Sequence, residues 1–391
     1  MQYFYESQTA SEKKLYAKLL TIIGSLSNLF AETENPFLHY RIMENIFCKA
    51  FNADNFSRSD ISIDAGKNTI GIGLKTFLQN NGNTFQKIAE FNKQSYLLVD
   101  KKPEEKILKV AKMRNERILT TMRICKTNTM IYHLLTRAKN TMLLFEEPMN
   151  LIDIDKIRIT KKTNSTIHFT DNIELYEFST AKNTLLKKFN TSQTKAIEIF
   201  PVNILSNPFD FLLQLENELA QKFVTTNQAT ACDYIVLPLY SPATNTVEPK
   251  SGLNQWNAAG RRRNLDEVYI PVPSWIHKLK NNFFHYNTDD HKTDKFNVQL
   301  PDKTIISMKL AQAGGKALMS DPNKALGKWI LRDVLHIDYG TLVTKEMLDI
   351  IGIDSIKLTK ISDELYTLDF LEQGSFKKFK ATLFSNEEKH K

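Results

Sequence analysis

An aspartate and a lysine on one alternating segment are well suited by type and spacing to phosphodiester chemistry. The segment 57–77, SRSDISIDAGKNTIGIGLKTF, alternates polar and apolar residues on either side of a turn predicted at 65–68. In the resulting β-hairpin, Asp60 stands opposite Gly73 and shares a polar face with Lys75. A carboxylate can bind Mg²⁺, while a lysine can orient the attacking water and stabilise the phosphorane charge. The pair therefore suits metal-dependent cleavage, although by itself it fits an exposed hairpin with solvated charges better.

A second group of residues is suited to recognising DNA. Between Lys250 and Arg263 the sequence carries four cations and no acid. Amide side chains can bind adenine bidentately, arginine can bind guanine, and further arginines can hold phosphates. These residue types favour a DNA-reading arm, whereas an arbitrary basic run is more often a solvated surface loop. The candidate DNA-binding residues of this arm are Lys250, Asn254, Gln255, Trp256, Asn257, Arg261, Arg262 and Arg263.

A polar loop farther along the chain offers a second candidate arm. The loop 311–324, AQAGGKALMSDPNK, follows the alternating segment 304–310, TIISMKL, which is typical of a strand. Gly314 and Gly315 would allow the backbone to approach DNA closely. Surface solubility is the alternative explanation for the lysines of this loop. The candidate DNA-binding residues here are Lys309, Gln312, Lys316, Ser320, Asn323 and Lys324.

The elements that must position these residues are predicted to form two domains. At 391 residues the chain is long enough for two hydrophobic cores. We predict a catalytic domain over 1–223, a polar linker over 224–231 and a DNA-binding domain over 232–391. Helices are predicted at 11–30, 37–51, 83–94, 103–127 and 207–223, and β-like runs between 129 and 190 extend the first domain's sheet.

The amino-acid composition limits which kinds of binding partner and which cellular compartment suit this chain. The net charge of +8 and a pI near 9.0 favour a polyanionic partner. The three cysteines, Cys48, Cys125 and Cys232, share no metal-ligand spacing, which suits the reducing cytoplasm. The first residues lack the apolar core of a signal peptide, and no apolar run approaches the ~20 residues that cross a bilayer. We therefore expect a cytoplasmic protein without membrane segments.

Two ordered blocks in the second half carry a family resemblance. The blocks 254–277, NQWNAAGRRRNLDEVYIPVPSWIH, and 300–335, LPDKTIISMKLAQAGGKALMSDPNKALGKWILRDVL, resemble the C-terminal domain of the BfiI and NgoFVII groups of type II restriction endonucleases. The resemblance implies a plant B3-like β-pseudobarrel. It also implies that residues 250–263 and 309–328 are two arms that clasp the major groove.

The first half resembles a different nuclease signature. Ser59-Asp60 and Gly73-Leu74-Lys75 are similar to the two halves of the PD-(D/E)XK motif, except that glycine replaces its second acid. This resemblance implies a restriction-endonuclease-like mixed sheet with flanking helices. Relatives with the C-terminal domain often carry a phospholipase-D-like nuclease instead, whose signature is His-x-Lys. None of the eight histidines has a lysine two residues later, so the sequence does not fit that alternative.

The missing acid has two candidate replacements, Glu90 and Glu44. Some PD-(D/E)XK members carry it on the helix after the lysine strand, which implies Glu90, and Gly73 would leave room for that side chain. Several members place an acid before the hairpin, and Glu44 matches that position on the predicted helix 37–51. Asp64 is either a further metal ligand or a turn residue. The predicted catalytic residues are thus Asp60, Lys75, Glu90 and Glu44, and the predicted metal ligands are Asp60, Glu90 and Asp64.

These features predict a two-domain α+β or α/β type II restriction endonuclease that hydrolyses double-stranded DNA with Mg²⁺. Such an enzyme could act as a homodimer on DNA. A DNA-binding protein or regulator with a non-catalytic N-terminal domain is the alternative, and the glycine at position 73 supports it. A third hypothesis is a phosphodiesterase acting on RNA or on junction DNA.

Overall fold

The computed structural model describes residues 3–56, 61–80, 82–214, 233–284, 286–287 and 292–389. The chain divides into two compact units. The first contains Met1–Arg58, Ser62–Asn115 and Thr127–Thr230, and the second contains Ser59–Ile61, Glu116–Lys126 and Ala231–Lys391. The predicted linker, 224–231, lies outside the described residues.

Two helices, the first part of a third (up to Asn115) and a mixed sheet form the centre of the first unit. A capping box between Thr9 and Glu12 starts the first helix, and Asn52 ends the second with a left-handed φ of 48°. The helices are α1 (Ala10–Ser25), α2 (Tyr40–Phe51) and α3 (Pro103–Cys125). In spatial order the strands are β1 (Asp54–Asn55), β2 (Ala65–Lys67), β3 (Ile70–Leu78), β5 (Thr129–Ala138), β6 (Thr141–Pro148) and β11 (Glu198–Pro201).

The sheet is mixed because α3 connects two parallel strands. Strand β3 pairs in parallel with β5, and the other neighbouring strands pair antiparallel. Helices α1 and α2 contribute Tyr16, Phe47 and Phe51 to a core that also contains Ile72 of β3 and Leu135 of β5. This arrangement is the mixed sheet with flanking helices that was predicted for the first half.

The hairpin that carries the candidate catalytic residues has a different register from the predicted one. Ala65 of β2 lies opposite Ile72 of β3, and the turn falls at 68–69 instead of 65–68. Asn68 adopts a positive φ of 55°, which asparagine tolerates, so the turn closes within two residues. One step beyond the Ala65–Ile72 pair, this register brings Asp64 towards Gly73, whereas the predicted partner of Gly73, Asp60, lies outside the described residues.

A second sheet in the first unit contains a segment that was predicted as a helix. Residues Asn83–Glu90 form strand β4, because they pair with seven residues of β10. Phe85, Ile88 and Ala89 have helical spacing, but this long pairing overrides local periodicity. The sheet is antiparallel, and its order is β4, β10 (Thr184–Asn190), β9 (Leu175–Ser179), β8 (Thr166–Thr170) and β7 (Arg158–Lys162).

Short segments complete the first unit. The predicted helix 207–223 is represented by α4 (Pro208–Gln214), and its remaining residues lie outside the described ones. The 3-10 helical segments are Ser27–Leu29, Asn92–Leu97, Ile154–Lys156 and Gln193–Lys195.

The second unit is a strongly curved sheet around its own core. Its outermost strands in the pairing order, β12 and β13, lie close to each other, so the sheet is a nearly closed barrel. Strand β16 runs parallel to β20, and the other neighbours are antiparallel. The order is β12 (Tyr234–Pro238), β19 (Ile353–Lys360), β20 (Leu365–Glu372), β16 (Phe296–Gln299), β17 (Ile305–Ala311), β18 (Ala317–Ser320) and β13 (Ile270–Pro271).

Helical segments flank this barrel. Trp329 is buried and stacks on Phe370, with ring centroids 5.3 Å apart. The segments are Gly252–Asn257 (3-10), α5 (Ser274–Leu279), α6 (Ala325–Gly327), the π-helical Lys328–Val334, α7 (Lys345–Ile351) and α8 (Ser375–Lys389). A separate pair of strands is β14 (Tyr286–Asn287) and β15 (Lys292–Thr293). Across the described parts of both units, no helix combines the length and apolarity needed to span a membrane.

Candidate functional site

Asp64 and Lys75 are brought together at the β2–β3 pair of the first unit. The backbone N–H of Asp64 donates to the carbonyl of Ile72 at 2.9 Å. One carboxylate oxygen of Asp64, Oδ2, accepts a hydrogen bond from the backbone N–H of Leu74 at 2.7 Å. Lys75 follows directly on β3. The strand thus fixes the carboxylate beside the residue that precedes the candidate lysine, whereas Asp60 lies outside the described residues.

Burial perturbs both groups of this pair. Removal from water lowers the pKa of Lys75, and the nearby charge of Asp64 opposes that effect. Removal from water also raises the pKa of Asp64, against the Leu74 hydrogen bond and the charge of Lys75. The Lys75 Nζ atom lies 5.8 Å from the centre of the Tyr132 ring. Because both side chains remain partly exposed, this is a perturbed acid–base pair that solvent can reach.

Glu44 contributes a second carboxylate to the same neighbourhood. It is buried on α2, where Arg41 donates to its Oε2 at 3.0 Å. The charge of Arg41 also acts on Asp64 and favours its ionised form. Burial, together with the smaller effects of the charges of Glu44, Asp54 and Asp64, raises the pKa of the Cys48 thiol to about 12. The two carboxylates therefore lie within electrostatic reach of one arginine and one thiol of α2.

Glu90 is placed differently from the prediction. It lies at the end of β4, where its exposed carboxylate pairs with Lys87 at 3.1 Å and accepts from Asn92 at 2.7 Å. The room expected beside Gly73 is filled: a Cβ there would lie 2.7 Å from Met149 Cε and 3.3 Å from Tyr132 Cδ1. The prediction that a following helix carries Glu90 into this space was wrong, because that helix is a strand.

The oxygen donors suit a hard metal ion. Among the residues that the structure describes, no group of three or more His, Cys, Asp or Glu side chains is arranged to hold a metal. Mg²⁺ usually takes only one or two carboxylates and completes its shell with water and substrate phosphates. Asp64 and Glu44 could supply such carboxylates, so the donor chemistry fits Mg²⁺ without a protein cage.

In the second unit, part of the first predicted arm is built into the domain. Asn254 is fully buried, and its Nδ2 donates to the carbonyls of Val343 at 2.9 Å and Glu248 at 3.1 Å. Its Oδ1 accepts from Val343 N–H at 2.9 Å. Gln255 is also buried, and Trp256 packs against the core. The predicted base-reading amide of Asn254 is thus used to hold two loops together, because all its polar atoms are bonded within the unit.

The three consecutive arginines have different surroundings. Arg261 makes a bidentate contact with the buried carboxylate of Glu267. Arg263 donates to two backbone carbonyls of the preceding turn, at 2.6 and 3.1 Å, and its Nε lies 3.8 Å from the same carboxylate. Arg262 is exposed and makes no hydrogen bond or ion pair with the described residues. Lys250 and Asn257 are also exposed at this end of the unit.

The second predicted arm is mainly a hairpin. Strands β17 and β18 are joined by the turn 312–316, in which Gly314 and Gly315 adopt φ values of 77° and 63°. The prediction of one long loop was wrong here, because residues 317–320 extend the sheet. Exposed side chains on this arm are those of Gln312, Lys316, Asn323 and Lys324.

Two predicted residues of this arm have partners within the unit. Ser320 is buried, donates to the carbonyl of Pro322 at 2.9 Å and accepts from Leu326 N–H at 2.8 Å. Lys309 lies 3.6 Å from Asp321. Ser320 therefore stabilises the base of the arm, and the exposed side chains remain the candidates for DNA contact.

Two supporting residues were missed by the sequence analysis. Glu267 holds Arg261 and Arg263, and a ring nitrogen of His277 lies 3.1 Å from the carbonyl of Gly315 in the hairpin turn. Glu267 had a signal, because an acid four residues after Arg263 is a common ion-pair spacing. The His277 contact spans 38 residues and left no local signal.

Comparisons with known proteins give a match to a curated protein and a match to a family model. A segment of 73 residues, 19% of this chain, is 33% identical to Protein TIC 214 of Ipomoea purpurea, and the match spans 3% of that protein. Residues 228–362 match the family described as the NgoFVII C-terminal B3-like DNA-binding domain. This match and the nearly closed barrel identify the second unit as a B3-like DNA-binding domain of the NgoFVII type, with DNA as its partner.

Proposed function

We propose that this chain is a type II restriction endonuclease that hydrolyses double-stranded DNA with Mg²⁺. The observation that carries the proposal is the Asp64–Lys75 pair on the mixed sheet of a chain that also contains an NgoFVII-type DNA-binding domain. A lysine beside a carboxylate is what hydrolysis of a phosphodiester requires, since the reaction needs an oriented water and a stabilised phosphorane.

Each residue of the proposed site has a definable task. Asp64, oriented by the Leu74 N–H, and Glu44 would hold Mg²⁺, and Asp60 stays a further candidate ligand. When bound, Mg²⁺ supplies Lewis-acid polarisation of the phosphate and neutralises charge. The Lys75 ammonium stabilises the negative charge on the phosphate oxygens. Burial lowers the pKa of Lys75, while the charge of Asp64 favours the ammonium form that this role requires.

The DNA-reading surface is proposed from the exposed side chains of both arms. Asn257 and Gln312 are amides that can read base edges, and the exposed cations can bind guanine or phosphate. Lys250, Arg262, Lys316, Asn323 and Lys324 complete this set. A chain with one nuclease site cuts one strand at a time, so we also propose that two copies act together on the duplex.

A cleavage assay tests the proposal directly. The purified chain is incubated with plasmid DNA in the presence of Mg²⁺ or of a chelator, and discrete fragments are expected only with Mg²⁺. Asp64→Asn is expected to abolish cleavage, and Glu44→Gln is expected to reduce it far more than Glu90→Gln, the matched exposed control. Cleavage that persists with the chelator, or in Asp64→Asn, contradicts the assignment.

A DNA-binding protein with a non-catalytic first unit is the second candidate. It is favoured by the glycine at position 73, which replaces the second acid of the motif. This alternative predicts sequence-specific binding without cleavage under any divalent cation. The same plasmid assay, run beside a binding titration, separates the two functions.

A further inference from the structure

We propose that Arg262 is the arginine of the triplet that contacts DNA, and that Arg261 and Arg263 are positioning residues held by Glu267. The inference rests on the proposed DNA-reading role of the arm 250–263 and assigns different tasks to three adjacent residues of the same type. From sequence alone they were equivalent candidates.

The carboxylate of Glu267 is the fixed point of this arrangement. Its side chain is 5% exposed, and Arg261 meets both of its oxygens. The Arg263 side chain is 15% exposed. It donates hydrogen bonds to two backbone carbonyls and lies close to the Glu267 carboxylate. Bidentate arginine–carboxylate contacts are both strong and directional. Two of the three arginines are therefore tied to the body of the domain.

Moving Arg261 onto DNA would carry an internal penalty. The buried Glu267 would keep only Arg263, whose Nε lies 3.8 Å away, beyond hydrogen-bond length. A buried carboxylate that loses its hydrogen-bonded partner is strongly disfavoured. Release of Arg263 would also leave two turn carbonyls without its N–H donors. The bonds that would have to break thus favour retention of both contacts when DNA binds.

Arg262 has no such penalty. Its side chain is exposed between two anchored neighbours, and it makes no hydrogen bond or ion pair with the described residues. The preceding Gly260 has a φ of 105°, and a Cβ built there would meet no atom within 4 Å. The tip of the arm is therefore open on this side. Anchoring of the flanking residues limits the backbone freedom of position 262, which lowers the entropic cost of presenting its guanidinium to a ligand.

The salt dependence of binding distinguishes a contacting arginine from a positioning one. Each cation that neutralises a DNA phosphate contributes about 0.9 to the slope of log affinity against log salt. The full chain is titrated at several salt concentrations, with a chelator present to prevent cleavage, against labelled duplexes with a randomised centre. The duplex that it selects from this pool serves as the second probe.

Arg262→Gln is expected to weaken binding at least about tenfold, in one of two ways that both support the proposal. A phosphate contact lowers the salt slope by about 0.9 on both probes. A base contact removes preference at a single position of the selected duplex. Arg261→Gln and Glu267→Gln are expected to keep the slope of the parent protein, and their double variant is expected to weaken binding no more than either single variant, since both break one contact. Arg158→Gln, an exposed arginine of the first unit, is the matched charge control.

The conservative variants keep the test decisive if Glu267→Gln fails to fold. Arg261→Lys keeps the charge but loses the bidentate geometry, so we expect weaker binding with an unchanged slope. Unchanged affinity in Arg262→Gln, or a slope loss in Arg261→Gln equal to that expected for Arg262→Gln, overturns the assignment. If the parent protein does not bind the pool, or does not prefer the selected duplex, the proposed sequence-reading function fails instead.

Discussion

Lys75→Met removes the ammonium beside Asp64 and keeps a side chain of similar length. At 4 Å and an effective dielectric constant of about 20, the attraction between an ammonium and a phosphate charge is about 4 kcal/mol. If the transition state gains this interaction and the bound substrate does not, the cleavage rate falls by a factor of about 10³. The partial burial of Lys75 supports the use of this intermediate dielectric constant.

The same substitution is expected to leave the fold intact. Burial already disfavours the charged form of Lys75, so an apolar side chain relieves that penalty, but it also removes the charge that favours ionised Asp64, and we expect a folded protein of reduced stability. The pKa of Lys75 is lower in the folded than in the unfolded chain. Between the two values the unfolded chain binds more protons, so this lysine makes stability rise with pH in that window. Lys75→Met is expected to remove this dependence.

Initial rates of plasmid cleavage with Mg²⁺ provide the assay, and a melting curve checks the fold. Lys87→Met is the matched control, because Lys87 is an exposed lysine whose ion pair with Glu90 contributes little. A folded Lys75→Met protein that cleaves at the parent rate refutes the reasoning, and so does an equal loss in Lys87→Met.

Three further predictions concern the scaffold. Asn254→Ala is expected to cost about 1–3 kcal/mol in urea unfolding, because it leaves buried loop groups unpaired, with duplex affinity under native conditions nearly unchanged. Glu12→Gln is expected to cost up to about 1 kcal/mol at neutral pH through the lost ion pair with Lys67, since glutamine can still complete the capping box with Thr9. The hydrogen bond from Lys67 is the largest of the effects that lower the pKa of Glu12 to about 2. The stability difference between the variant and the parent should therefore disappear as pH falls from 4.5 towards 2. Unfolding curves at each pH would show it. Lys187→Met leaves two partly buried carboxylates, Glu147 and Glu174, without their cation, and should cost about 3–5 kcal/mol in urea unfolding. Adding Glu147→Gln should recover part of that loss; additive destabilisation would count against the pairing.

The strongly patterned elements were predictable from the sequence. Helices α1, α2 and α3 were placed within a few residues, because long apolar stripes and their caps are local signals. The DNA-binding domain was recognised because two long blocks of residues occur in order at the expected separation, and the family match agrees.

Strand β4 shows where local signals fail. Its sequence has the apolar spacing of a helix, and its conformation is decided by pairing with β10, about a hundred residues later. The hairpin register failed for a related reason, since alternation fixes the faces of a strand but leaves the pairing free to slide in steps of two. Asp60 and Asp64 have the same parity, so the pattern could not distinguish which of them stands beside Gly73.

The candidate DNA-binding residues were predicted as types but not as individuals. Asn254 and Gln312 are both amides in polar loops, yet the first is fully buried and the second is exposed. Burial of a polar side chain depends on acceptors and donors supplied from distant segments, such as Val343 for Asn254. A single sequence does not show which distant segments come close to a given side chain. The structure is therefore needed to distinguish buried supporting residues from exposed candidates for DNA contact.

Gly73 shows how a departure from a motif can keep its chemistry. An acidic side chain at this position would require the terminal methyl group of Met149 to move and would lie close against the Tyr132 ring. The strand instead donates the backbone N–H of Leu74 to Asp64, which lies on the neighbouring chain segment. A carboxylate is thereby fixed next to Lys75 by a backbone hydrogen bond from the strand that would otherwise carry it. The proposed site therefore depends on the register of β2 against β3, because a slip of two residues would move Asp64 away from Leu74 and leave Lys75 without its acid.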